Sequence, residues 1–79
     1  MTELTIGERA AQAIRETAEN NGLTITKECM RIGINTDTRI AWNNGKANPG
    51  GSVLALMLNA GYDVIWILTG KKGEEFYGK

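Results

Sequence analysis

Residues 22–46, GLTITKECMRIGINTDTRIAWNNGK, decide how this chain is read. Thr24 stands where a hydroxyl can cap a helix, and Ile25, Cys29 and Ile32 recur at three and four, on one helical face. Gly33 stops that helix. Asn35, a strong N-cap, then opens a second one running from Thr36 to Asn44, with Gly45 behind it. Two short helices joined by a glycine-containing turn of three to four residues form a helix-turn-helix pattern.

The same local signals extend outward in both directions. Thr5-Ile6-Gly7-Glu8 reads as a capping box, in which threonine and glutamate each satisfy an amide of the other's segment. Behind it Ile6, Ala10, Ala13, Ile14 and Ala18 form one apolar stripe, ended at Asn20-Asn21-Gly22. Beyond the loop 45–51, Ser52 is expected to cap a fourth helix, Val53 to Ala60, and Asp63 a fifth, Val64 to Thr69. The run Val53 to Leu58 is expected in the core, with Met30 and Met57 as packing residues. No strand alternation or repeat interrupts the pattern. The fold class expected is all-α, a compact bundle of five short helices in a domain over residues 1–71. Residues 72–79, mostly charge and glycine, are expected to be a flexible tail, with Phe76 and Tyr77 either docking on a partner or incidental.

Composition narrows the function. The chain has 79 residues, 42% of them hydrophobic, no histidine and one cysteine. A His-based triad and a Cys/His zinc cluster are therefore absent, so neither an enzyme nor a metal or cofactor protein is expected. Cys29 has no internal disulfide partner and is expected to be a small buried hydrophobe. The start lacks the pattern of a signal peptide, and the longest apolar run is far short of a membrane span; a cytoplasmic, non-membrane protein is expected. Nine basic residues balance nine acidic ones. The balance is uneven along the chain. Residues 1–21 carry two basic against four acidic residues, 22–51 four against two, and 52–79 three against three. The positive share falls on the helix-turn-helix segment.

Gly22-Leu23-Thr24, Gly33-Ile34-Asn35 and Trp42-Asn43-Asn44-Gly45-Lys46, taken in order and spacing, resemble the phage-repressor and Cro-type helix-turn-helix family, the lambda-repressor-like domains. Gly61-Tyr62-Asp63-Val64-Ile65-Trp66-Ile67-Leu68-Thr69-Gly70 is similar to the Trp-Leu-Leu-Thr-Gly ending common in such repressors, and Ile6-Gly7-Glu8-Arg9 to their first-helix opening. The likeness covers about residues 5 to 71. It implies a transcriptional regulator that binds double-stranded operator DNA, with the helix 36–44 in the major groove. The sequence departs from the family at Ile25, where a backbone-contacting glutamine is usual. It departs again at Glu28 and Arg39, usually an apolar pair. Glu28 and Arg39 are expected to pair across the two helices.

A helical wheel for residues 36–44 turns Thr38, Ala41 and Trp42 inward, with Arg39 at the edge, and Thr36, Asp37, Ile40, Asn43 and Asn44 outward. The resemblance places Thr36, Asp37 and Ala41 at base-reading positions and Asn44 at a backbone contact. Chemically, threonine can hydrogen-bond a base, Asp37 can accept from a cytosine amino group, and Ile40 or Ala41 can touch a thymine methyl. Thr24 at the N-terminus of helix 2, with Lys27, Arg31 and Lys46, supplies candidate phosphate contacts alongside Asn43 and Asn44. Arg9 is a further cation near the start of helix 1. So few contacts per chain imply a homodimer. Helix 5 is apolar all round, and Val64, Ile65, Ile67 and Leu68 are its expected interface; the alternative is that helix 5 plugs the bundle. A dimer would set its recognition helices about 34 Å apart. The rival function is a non-catalytic protein-interaction module: neutral charge, Ile25 and Asp37 suit a bundle that binds another regulator instead of DNA.

Overall fold

The computed structural model describes residues 3–72, and the tail from residue 73 onward, with Phe76 and Tyr77, lies outside the described residues. The described chain is all-helical: α1 (Ile6–Asn20), α2 (Ile25–Ile32), α3 (Thr36–Asn43), α4 (Gly51–Asn59) and α5 (Val64–Thr69). Local capping chemistry sets most boundaries. The Thr5–Glu8 capping box is complete, with Thr5 N donating to Glu8 Oε1 at 2.8 Å and Glu8 N to Thr5 Oγ1 at 3.0 Å. Thr24, Asn35 and Asp63 accept from Lys27, Asp37 and Trp66 amides. Ser52 does not cap α4. That helix begins at Gly51, its N-cap is Gly50, and it has no side-chain cap bond.

The helix ends share one device. Gly33 adopts φ 84, a left-handed conformation that lets Ile34 N reach back to Cys29 O at 2.9 Å. The same closing bond joins Leu23 to Ala18, Lys46 to Ala41 and Tyr62 to Met57. In three of these four turns the residue after the glycine is apolar or aromatic and turns inward. Ile34 and Tyr62 are buried and Leu23 is half-buried, which supplies the hydrophobic contact of this cap.

The core is built on α1. Ala10, Ala11 and Ile14 pack with Cys29, Ile32, Ile34, Trp42, Met57, Tyr62 and Ile67, and Ala18 is buried further along the same helix. Ala11 joins the buried stripe that Ala13 was expected to fill; Ala13 is half-buried. Small alanines let α3 lie close against α1, and Gly7 makes the closest approach. A Cβ there would collide with the Ala47 carbonyl oxygen and lie 3.2 Å from Trp42 Cα. Gly7 N also donates to Asn48 Oδ1 at 2.8 Å. The loop after α3 is thereby fastened to the first turn of α1. At the other end Arg9 closes α5: its guanidinium donates to the carbonyls of Ile67 (2.8 Å), Leu68 (3.2 Å) and Leu4 (2.7 Å). A cation on the final carbonyls of a helix satisfies both their hydrogen bonds and the helix dipole.

Two expectations about the core are corrected. The run Val53 to Leu58 is not core throughout. α4 buries Met57, half-buries Val53 and Leu54, and leaves Leu56 and Leu58 45% and 61% exposed. A nine-residue helix lying on one side of the bundle has more apolar faces than the core has room for. Met30 likewise does not pack; it is 73% exposed.

Candidate nucleic-acid interface

α2 and α3 pack on α1 and are joined by the Gly33-Ile34-Asn35 turn. Ile34 drops into the core while Asn35 caps α3, so the turn is held from below and α3 has a defined direction. Trp42 is the fully buried residue of α3. On the opposite side, spaced three and four apart, stand Asp37, Ile40 and Asn44, all exposed, with Ala41 half-buried beside them. Thr36 is half-buried and Asn43 exposed on the flank nearer α1. Thr38 is exposed, not inward as the wheel placed it, because Arg39 is the residue that turns toward α1. A packed helix is rotated by its largest inward contacts, here Trp42 and Arg39, and Thr38 is carried to the far flank.

The pair expected between Glu28 and Arg39 does not form. Glu28 is completely buried and bonds to Arg31, its Oε1 accepting from Nε at 2.9 Å and its Oε2 from Nη2 at 2.6 Å. Tyr62 Oη donates to the same Oε2 at 2.5 Å. Arg31 lies one helical turn away, within reach of a bidentate contact. The Arg31 hydrogen bonds hold the Glu28 carboxyl below its ordinary range; burial opposes them and Tyr62 assists. Burial, then the bond to Glu28, pushes the Tyr62 hydroxyl up, out of its normal range. Arg39 instead reaches the Ala11 carbonyl, at a long 3.5 Å, and its Nε has no protein partner. Cys29 is buried beneath, and desolvation raises its thiol.

The expected phosphate contacts divide accordingly. Thr24, Lys27, Asn43, Asn44 and Lys46 are all exposed, and neither lysine is in an ion pair among the described residues. Arg31 is committed to Glu28, although its side chain remains 43% exposed. Arg9 is committed to the end of α5. The expected α5 interface is also divided. Ile67 is fully buried and is core, Val64 and Ile65 are half-buried, and Leu68 is exposed. Of the residues that hold this surface in place, Tyr62, Arg9, and the Gly7–Asn48 clasp were missed by the sequence reading. Each acts across 34 or more positions of chain, which no local spacing signals.

The chain matches no protein-family model, curated protein or solved structure. Among the described residues no helix is long and apolar enough to cross a membrane, and no group of three or more His, Cys, Asp and Glu side chains could hold a metal.

Proposed function

We propose that this chain is a small DNA-binding regulator of the phage-repressor and Cro type, with α3 as its recognition helix. The observation that carries the reading is the exposure of α3. An eight-residue helix, anchored through Trp42 and capped at Asn35, leaves Asp37, Ile40 and Asn44 open on one face. Exposed Lys27 and Lys46 flank it in sequence on α2 and in the following loop. The chain as a whole is neutral, but residues 22–51 carry four basic against two acidic residues. Thr36, Asp37, Ile40 and Ala41 then face base edges, where a carboxylate accepts from cytosine and apolar groups meet thymine methyls. Thr24, Lys27, Asn43, Asn44 and Lys46 serve the phosphates, and Arg31 serves them with the part of its guanidinium that Glu28 leaves exposed. Few cations per chain make binding modest, so two copies on one operator are required.

Random-sequence duplex DNA tests the reading at two salt concentrations, about 50 and 200 mM. Each phosphate contact contributes about 0.9 to the slope of log affinity against log salt. Two to four contacts per chain give a slope of about −2 to −4. No binding at the lower salt refutes the reading. It favours a protein-interaction module, for which the exposed apolar side chains of Met30 and Ile40 and the acidic Asp37 on α3 are the supporting observations.

A further inference from the structure

Two demands fall on Arg31. Its Nε and Nη2 hold the fully buried Glu28 carboxylate, and a bidentate phosphate contact would need N–H groups of the same guanidinium edge. If Arg31 left for a phosphate, Glu28 would keep only the Tyr62 hydroxyl. A buried charge without a counter-charge is strongly destabilising. Arg39, on the adjoining helix α3, is in the opposite condition. It is half-buried and in no ion pair among the described residues. Its Nη2 donates to the Ala11 carbonyl at 3.5 Å, the outer limit of a hydrogen bond, and its buried Nε has no protein partner. An N–H in that state is stabilised by an acceptor that comes within reach. Arg39 and Glu28 already share a neighbour, the buried Cys29. Burial raises its thiol, and the two charges act on it in opposite senses, Arg39 lowering it and Glu28 raising it.

We propose that Arg39 is a positioning residue for DNA binding, which takes over the Glu28 carboxylate when Arg31 turns outward to a phosphate. The exchange needs rotation of two long side chains and no movement of either helix. Arg31 gains a phosphate with its whole guanidinium edge. Arg39 gives up a long bond to a neutral carbonyl and gains a charged acceptor, which is the stronger kind. Glu28 has a cation in both states, and Tyr62 keeps its bond to Oε2. The use made of the exchange rests on the DNA reading. The sharing of Glu28 by two arginines is measured without DNA, so the two fail separately.

Thermal melts of Arg31→Ala, Arg39→Met and the double variant, all in the full chain, test the sharing. Each single variant leaves Glu28 one cation, and the double variant leaves none. The loss in the double variant should exceed the sum of the two single losses by at least about 8 °C. In a Glu28→Gln background that excess should vanish, because no charge is left to share. Combining Arg31→Ala with Arg39→Lys, which keeps a cation, should recover most of the loss. Additive shifts overturn the proposal, as does an excess that persists with Glu28→Gln. A double variant too unstable to fold should fold again with Glu28→Gln, and one that stays unfolded there overturns the proposal too. On random-sequence duplex DNA, Arg31→Ala and Arg39→Met should each lower the salt slope by about 0.9, and the double variant by no more than either. An undiminished slope with Arg39→Met overturns the exchange. A doubled loss in the double variant makes Arg39 a phosphate contact of its own and overturns it equally. Failure of wild type to bind DNA removes the DNA reading and with it the use of the exchange, while the melts still decide the sharing.

Discussion

Replacing Glu28 by alanine tests the most consequential side-chain assignment in the structure. Glu28 is fully buried and accepts three hydrogen bonds, two from Arg31 and one from Tyr62. The three do not count equally. Arg31 is 43% exposed, so its guanidinium regains water when the carboxylate goes, and its share is at most about 1 kcal/mol. Tyr62 is buried, and its hydroxyl would lose a charged acceptor without gaining water, a loss of about 1.5–3 kcal/mol. The space left by the side chain adds about 1 kcal/mol. The sum is about 2.5–5 kcal/mol, a large part of the stability of a domain this small. At about 4–8 °C per kcal/mol, Glu28→Ala should melt at least about 10 °C below wild type. Glu28→Gln, which keeps an acceptor for Tyr62 but no charge for Arg31, should fall by only about 1–2 kcal/mol. Thermal melts followed by circular dichroism at pH 7 measure both. Coincident melts of wild type and Glu28→Ala would refute the reasoning, because a buried carboxylate with these partners cannot be removed without consequence.

Further outcomes follow from the same contacts. Glu28 has a depressed folded-state pKa, so its contribution is present above the ordinary glutamate range and is lost as pH falls through the folded value. The unfolding free energy of wild type should therefore decline more steeply below about pH 4 than that of Glu28→Gln. The raised hydroxyl of Tyr62 works in the other direction: its contribution is present below about pH 10 and is lost as pH rises further, and Tyr62→Phe removes that alkaline loss. Gly7→Ala forces the loop off α1 at the Ala47 carbonyl and should cost about 1–3 kcal/mol in denaturant melts, although alanine is intrinsically the better helix former. Arg9→Lys should lose about 1–2 kcal/mol, since an ammonium cannot span the carbonyls of Leu4, Ile67 and Leu68 together; an unchanged melt would show that these bonds contribute nothing. Lys46→Ala should reduce the salt slope for random DNA by about 0.9 and weaken all sequences alike. Asp37→Asn should instead alter which sequences bind, measured by selection from a random duplex library.

The elements themselves were legible because the signals that make them are local. A threonine, asparagine or aspartate before a helix bonds to an amide two or three residues on, and a glycine behind a helix closes it with a bond over five residues. Thr5, Thr24, Asn35, Asp63, Gly33 and Gly45 could be assigned without knowing where any other helix lies. The all-α class, the turn between α2 and α3, the burial of Trp42 and Cys29, and the outward position of Asp37 and Ile40 follow from that level. Ser52 failed because a glycine pair before it offered the backbone an equally good start.

What tertiary structure decided was every question of which neighbour a side chain meets. Glu28 and Arg39 sit on facing helices and carry opposite charges, so sequence alone pairs them. Docking the α4–α5 turn against α2 put Tyr62 over Glu28 and left Arg31 as the reachable cation, while Arg39 was drawn toward Ala11. Val64 to Leu68 and Val53 to Leu58 are equally apolar stretches. Only the placement of the helices buried Ile67 and left Leu58 in the open. Periodicity ranks the faces of one helix by hydrophobicity; the finite volume of the core decides how many of those faces it can cover.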